Sequence, residues 1–131
     1  MCYNNIGVKV TINSCGGNWK DSRSADGVFT RTQDGCSVKY SLDGDECVLT
    51  VNGGTVTQER LGVQRVNITF EQGKTTQCTI GSGGLSGGFE VFTRKLETLY
   101  GKGGFKVSLE YESGADKEII NLTLTALYKN N

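Results

Sequence analysis

The first fact about the side chains that could do chemistry in this chain is an absence. Histidine is missing from all 131 residues, which removes Ser-His-Asp and Cys-His arrangements, His-bearing zinc sites and the commonest general base near neutral pH. The five cysteines, Cys2, Cys15, Cys36, Cys47 and Cys78, are odd in number and share no C-x-x-C spacing. They fall at strand-like positions and read as buried, inert thiols of a reducing compartment, because a cysteine-only zinc site needs its thiolates clustered. Asp43, Asp45 and Glu46 form a short acidic run, but the spacing fails an EF-hand loop and a solvated turn is the commoner use. Glu110-Tyr111-Glu112-Ser113 falls short of the Glu-x-Glu-x-Lys line of a phosphate-processing tunnel barrel, since the Lys is missing and the carboxylates take the outward parity.

Two arginines carry the sharper signal. Arg60 shares the parity of Leu49, Val51, Val56 and Gln58, so its guanidinium starts from a core-facing position and must find acceptors or water. A four-residue loop at Gly101 to Gly104 sets Arg94 opposite Tyr111, beside a suspected bulge. Arginine forks suit carboxylates and phosphates, so Arg60 and Arg94 are candidates to receive the acidic group of a small ligand. The competing reading makes Arg60 a structural plug at one barrel end, held by backbone carbonyls and an internal ion pair. Trp19, the one tryptophan, sits in a polar stretch where an aromatic caps an open end or closes over a ligand, capping being the commoner role.

These residues have to be positioned by strands. Phe105, Val107, Leu109 and Tyr111 alternate with polar residues, as do Ile120, Leu122, Leu124, Ala126 and Tyr128, which is the period of a half-buried sheet. With loops at Gly101 to Gly104 and Gly114 to Lys117, Tyr100 faces Phe105, Tyr111 faces Ile120, and Leu109 lies between Leu96 and Leu122. Earlier in the chain, Val8, Val10 and Ile12 mark a first strand, and Gly16 to Asp26 reads as a polar loop. Asp34-Gly35 as a two-residue hairpin tip pairs Phe29 with Tyr40 and Arg31 with Val38, both on the apolar face. Asp43 to Glu46 and Asn52 to Gly54 turn the chain twice more. A three-residue loop ending at Lys74 matches Thr76, Cys78 and Ile80 to Phe70, Ile68 and Val66. Gly81 to Gly88 has linker-like composition. Apolar parity then changes between Val91 and Leu96, which a bulge near Thr93 to Lys95 explains.

Nineteen glycines with no proline describe short strands and tight turns. Length predicts one domain over residues 1–131 with a core that needs neither metal nor disulfide. Segments in simple sequence order predict an all-β, antiparallel up-and-down barrel of about eight to ten strands. Fourteen basic against fourteen acidic residues remove the long-range attraction of a nucleic-acid or anionic-membrane binder. No apolar run matches a signal or a membrane span, so the expected location is cytoplasmic, and the sequons at Asn67 and Asn121 carry no weight there. The oligomeric state is left open.

Arg60-x-Gly62, Phe70-Glu71-Gln72-Gly73-Lys74, Glu90-Val91-Phe92-Thr93-Arg94-Lys95-Leu96 and Phe105 to Tyr111 occur in that order. In this the chain resembles the uncharacterised bacterial YwiB-like proteins, over nearly all of Val8 to Leu124. The resemblance implies a calycin-type, lipocalin-like barrel and brings no established substrate, cofactor or catalytic residue. The chain departs from it at Gly81 to Gly88, where relatives carry a Thr- and Tyr-containing turn. Fold analogy favours a small or amphipathic ligand, an acidic one among the candidates, held between Tyr40, Arg60, Phe70 and Tyr111. The alternatives are an interaction domain without ligand and, behind it, a phosphate-processing enzyme. No cofactor is expected.

Overall fold

Period-two alternation is realised along ten strands: β1 (Asn5–Cys15), β2 (Lys20–Arg31), β3 (Gly35–Leu42), β4 (Asp45–Asn52), β5 (Thr55–Leu61), β6 (Arg65–Glu71), β7 (Thr75–Ser82), β8 (Leu85–Gly101), β9 (Gly104–Ser113) and β10 (Glu118–Tyr128). The computed structural model describes residues 5–82, 84–114 and 116–129, the side chain of Leu85 excepted. Cys2, Gly83 and Ala115 therefore lie outside the described residues. Each strand pairs antiparallel with its neighbours in sequence, and β1 pairs with β10 from Val8 opposite Tyr128 to Cys15 opposite Asn121. That last ladder closes the sheet into an up-and-down barrel and removes both free edges.

The turns explain the registers. Asp43 and Gly44 both take positive φ, at 51° and 84°, which is the two-residue geometry whose twist matches the strands it joins. The turn expected over Asp43 to Glu46 is thus only its first two residues. Between β9 and β10 the register is as expected, with Ile120 opposite Tyr111 and Leu122 opposite Leu109. Tyr100 opposite Phe105 and Leu96 opposite Leu109 follow in the same way. On β8 the register shifts between Thr93, opposite Tyr111, and Lys95, opposite Glu110. Arg94 is the extra residue of that bulge, and through it Val91 and Thr93 share the buried side with Leu96 despite their different parity.

Four expectations are corrected. Gly16 to Asp26 is not a loop: Gly16 N–H donates to the Trp19 carbonyl at 3.1 Å, and β2 has already begun at Lys20. Inward Asp21 and Arg23 hide the strand, because they break the apolar alternation that would announce it. Asp34-Gly35 is not a two-residue tip: Thr32 N–H donates to the Gly35 carbonyl at 3.0 Å, which centres the reversal one residue earlier and shifts the register by two, so that Phe29 faces Val38, Gly27 faces Tyr40, and Arg31 faces Cys36. Arg31 stands at the exposed barrel end, with its guanidinium 4.0 Å above the Tyr100 ring. Most of Gly81 to Gly88 is strand rather than linker: β7 runs on to Ser82 and β8 begins at Leu85, with Gly81 opposite Ser86, Ile80 opposite Gly87 and Thr79 opposite Gly88. Gly88 is also sterically required, because a Cβ there would drive into the Cys78 carbonyl oxygen. Finally, Ile68 faces Cys78 and Val66 faces Ile80 as expected, but the β6–β7 ladder stops there. Thr76 instead turns its hydroxyl onto the Thr69 carbonyl.

The interior has two unlike halves. At the end carrying the β2–β3 and β8–β9 turns, Phe29 and Phe105 stack with centroids 5.9 Å apart, joined by Tyr128 at 5.8 Å and Tyr100 at 5.1 Å. Val8, Val10, Val38, Val51, Val56 and Val107 fill the space around them and are fully buried. Toward the other end the inward residues, Ile12, Leu42, Val66, Ile68 and Leu122, are only half-buried. Phe105→Ala should therefore cost about 3–5 kcal/mol in urea unfolding, as for a large core aromatic, whereas Leu122→Ala should fall below the ~2 kcal/mol usual for core leucines.

Candidate functional site

In a barrel that simply winds up and down, the β1–β2, β3–β4, β5–β6, β7–β8 and β9–β10 turns share one end. There the barrel is hollow. A cavity of about 430 Å³ opens between Ile12, Tyr40, Leu42, Leu49, Gln58, Ile68, Phe70, Leu109, Tyr111, Leu122 and Leu124, with Asp21, Arg23 and Arg60 at its mouth. Its volume lies within the range of small-molecule pockets. A larger depression exists on the outer face, around Phe89, Phe92, Glu90 and Glu112, but it is a shallow surface feature and not part of the interior.

The mouth is an ion-pair chain. Arg60 Nε donates to Asp45 Oδ2 at 2.8 Å, and its Nη2 lies 4.0 Å from Asp43 Oδ2. Arg23 Nη1 donates to the same Asp43 oxygen at 2.6 Å, and Arg23 Nε is 3.5 Å from Asp21. Two guanidiniums thus face three carboxylates, leaving one negative charge in excess. The Arg23–Asp43 pair also spans a seam. The β2–β3 ladder ends at Gly27 opposite Tyr40, so the segment of β2 before it is paired with β1 alone.

Deeper in, the wall is mostly apolar, with a few polar groups set into it. Tyr40, only 6% exposed, accepts a hydrogen bond at its hydroxyl from Gln58 Nε2 at 2.9 Å. Burial, followed by the neighbouring Cys47, pushes the Tyr40 hydroxyl up to about 12, so it is protonated across the ordinary pH range. Phe70 and Tyr111 pack ring on ring with centroids 4.9 Å apart, and burial likewise pushes Tyr111 up to about 12.

The candidate residues are divided by the structure. Tyr40, Arg60, Phe70 and Tyr111 line one cavity. Arg60 takes the inward parity, but its side chain is 40% exposed and is held by Asp45. Arg94 is not opposite Tyr111. Thr93 holds that place, and Arg94, displaced by the bulge, lies outside against Glu110 at 3.4 Å. The buried Thr93 hydroxyl has no hydrogen-bond partner among the described residues. Trp19 does not line the cavity: its Nε1 donates to Glu118 at 3.0 Å, tying the β1–β2 turn to the start of β10. Asp21 and Arg23 were missed because their stretch reads as a loop. Gln58 was legible only as an inward-facing residue. Cys36, Cys47 and Cys78 are buried free thiols, and burial raises the pKa of each.

An all-antiparallel ten-stranded closed barrel, packed at one end and hollow at the other, has the form of a calycin-like fold. The chain belongs to the family described as "Domain of unknown function (DUF1934)", whose model matches residues 16–123. The crystal structure of ywiB protein from Bacillus subtilis is similar to it at a TM-score of 0.85 and 15% sequence identity, with 96% of this chain and 94% of that one covered. No curated protein sequence matches the chain. Both positive findings agree with the family and fold implied by the ordered motifs from Arg60 to Tyr111. Among the described residues no helix is long and apolar enough to cross a membrane.

The mouth predicts an acid response. The hydrogen bond from Arg23, and then its charge, hold the Asp43 carboxyl below its ordinary value of 3.8. Its pKa is thus lower in the folded than in the unfolded chain, so the pair stabilises the fold above the ordinary aspartate range and ceases to do so as pH falls through the depressed value. Thermal unfolding followed from about pH 6 to about pH 2 should show Tm lost at the acid end, and Asp43→Asn should flatten that loss while lowering Tm near neutrality. Asn tolerates the positive φ of this turn residue, so the comparison isolates the charge.

Proposed function

We propose that this protein is a binding module that takes a small, largely apolar or amphipathic molecule end-on into the hollow half of the barrel. The observation that carries the reading is the cavity itself. Leucine, isoleucine and aromatic side chains are brought together around about 430 Å³ of open space, where a core would otherwise close over them. Apolar surface left facing water in this way favours a guest that removes it, at about 25 cal/mol per Å² before the cost of association is subtracted. The asymmetry of the barrel supports end-on entry: the aromatic stack of Phe29, Phe105 and Tyr128 obstructs one end, while charged and exposed groups surround the other. Arg60 and Arg23 act at the mouth, where their pairing with Asp45 and Asp43 holds the β3–β4 turn against β2 and β5.

The reading is tested with N-phenyl-1-naphthylamine, a neutral dye that brightens in apolar surroundings. Its fluorescence should rise on mixing with the protein, and Leu122→Trp, which fills the hollow from the half-buried side of β10, should weaken binding at least about tenfold, the effect of ~1.4 kcal/mol. The thermal unfolding midpoint should stay within a few degrees of the parent. A dye that does not bind, or that binds equally well after the cavity is filled, overturns the proposal.

A further inference from the structure

The polar groups of this cavity constrain what it can hold, and the constraint rests on the binding reading above. Tyr40 on β3 and Gln58 on β5 reach toward each other across β4, from positions opposite Cys47 and Leu49. Their mutual hydrogen bond uses one Gln58 N–H and one lone pair of the Tyr40 oxygen. The other Gln58 contact, to the Glu59 carbonyl at 3.5 Å, is long. The Tyr40 O–H proton and the Gln58 carbonyl oxygen are left without a protein partner among the described residues, side by side on a mostly apolar wall that includes Leu49, Ile68, Phe70 and Leu124. Turning the Gln58 amide over exchanges the roles but leaves the same complement, one donor beside one acceptor. A donor and an acceptor in an apolar wall are costly unless something satisfies both.

Charge narrows the choice further. The guanidiniums at the mouth, Arg23 and Arg60, are already engaged by Asp21, Asp43 and Asp45, which leave that cluster one negative charge in excess. An anion would have to displace one of these carboxylates, and deeper in the cavity it would meet no cation at all. A neutral group with an acceptor and a donor on one edge meets neither obstacle.

We propose that the cavity selects a neutral carboxamide or lactam, whose C=O accepts from the Tyr40 hydroxyl and whose N–H donates to Gln58, with its hydrocarbon part lying against Ile68, Phe70, Leu109 and Leu124. Recognition through a paired donor and acceptor discriminates strongly, because an analogue lacking either group leaves a buried partner unsatisfied. The raised pKa of Tyr40 is consistent with this role, since the hydroxyl keeps its proton at any working pH.

The test compares octanamide, methyl octanoate and octanoate at neutral pH, by isothermal titration calorimetry and by displacement of N-phenyl-1-naphthylamine. Octanamide should bind about tenfold more tightly than either the ester, which lacks the donor, or the carboxylate, which carries the charge. Gln58→Leu should lose about that factor for octanamide and leave methyl octanoate within about twofold, whereas Tyr40→Phe, which keeps the ring but removes the donor to the C=O, should weaken octanamide and methyl octanoate alike. Octanoate or the ester binding as tightly as the amide, or Gln58→Leu weakening amide and ester alike, overturns the proposal. If the dye binds and octanamide does not displace it, the amide assignment falls and the binding reading stands. If neither binds, both fall.

Discussion

The constraint on which this structure depends is the closing of a sheet of ten strands. A sheet with two edges presents rows of unpaired backbone groups, and pairing β1 with β10 satisfies them all at once. Closure also sets the width of the interior. Around eight strands give a bore that side chains can just fill, and each further strand widens it. In a chain of this length there are not enough large side chains to fill a ten-stranded bore along its whole height. Phe29, Phe105, Tyr100 and Tyr128 are concentrated at one end, which is solid. The space left over collects at the other.

A hollow end needs a rim that neither collapses inward nor splays apart, and the ion pairs meet that need. The β3–β4 turn is short and the β2 strand beside it runs on with no backbone partner on its β3 side. Side chains take over where the ladder stops, with Arg23 crossing to Asp43 and Arg60 gripping Asp45. Exposed pairs of this kind contribute little to stability one at a time. Their use here is positional, since they hold the mouth while leaving the apolar wall below it uncovered. The bulge on β8 does similar work in the wall: by letting Arg94 out to Glu110 it keeps a guanidinium from the interior and places the small, buried Thr93 beside Tyr111.

Much of the architecture was legible in the residues, for a physical reason. Alternation along β1, β9 and β10 and the short turns between strands encode which side of each strand is buried, and both are local properties. The bulge was legible too, as a change of parity between Val91 and Leu96. The errors came where local signals point the wrong way. Asp21 and Arg23 look like loop because they are charged, yet they face the mouth of a barrel, where charge can be solvated and paired. Gly81 to Gly88 looks like linker because it has few side chains, yet most of it pairs as strand, and Gly88 lets β8 lie against the Cys78 carbonyl of β7. Asp34-Gly35 looks like a tip, yet the reversal is centred one residue earlier, which brings Phe29 against Val38.

Alternation, turn chemistry and the order of short motifs were enough to specify an all-antiparallel barrel, the inward parity of Tyr40, Arg60, Phe70 and Tyr111, and the family to which the chain belongs. The cavity, the Asp45 partner of Arg60, the Tyr40–Gln58 pair and the exclusion of Arg94 were settled only by the folded chain. Parity is a relation between neighbours along one strand, whereas an empty volume and an ion pair are relations among strands distant in sequence. They exist only once the sheet has closed and its registers have set which side chains meet.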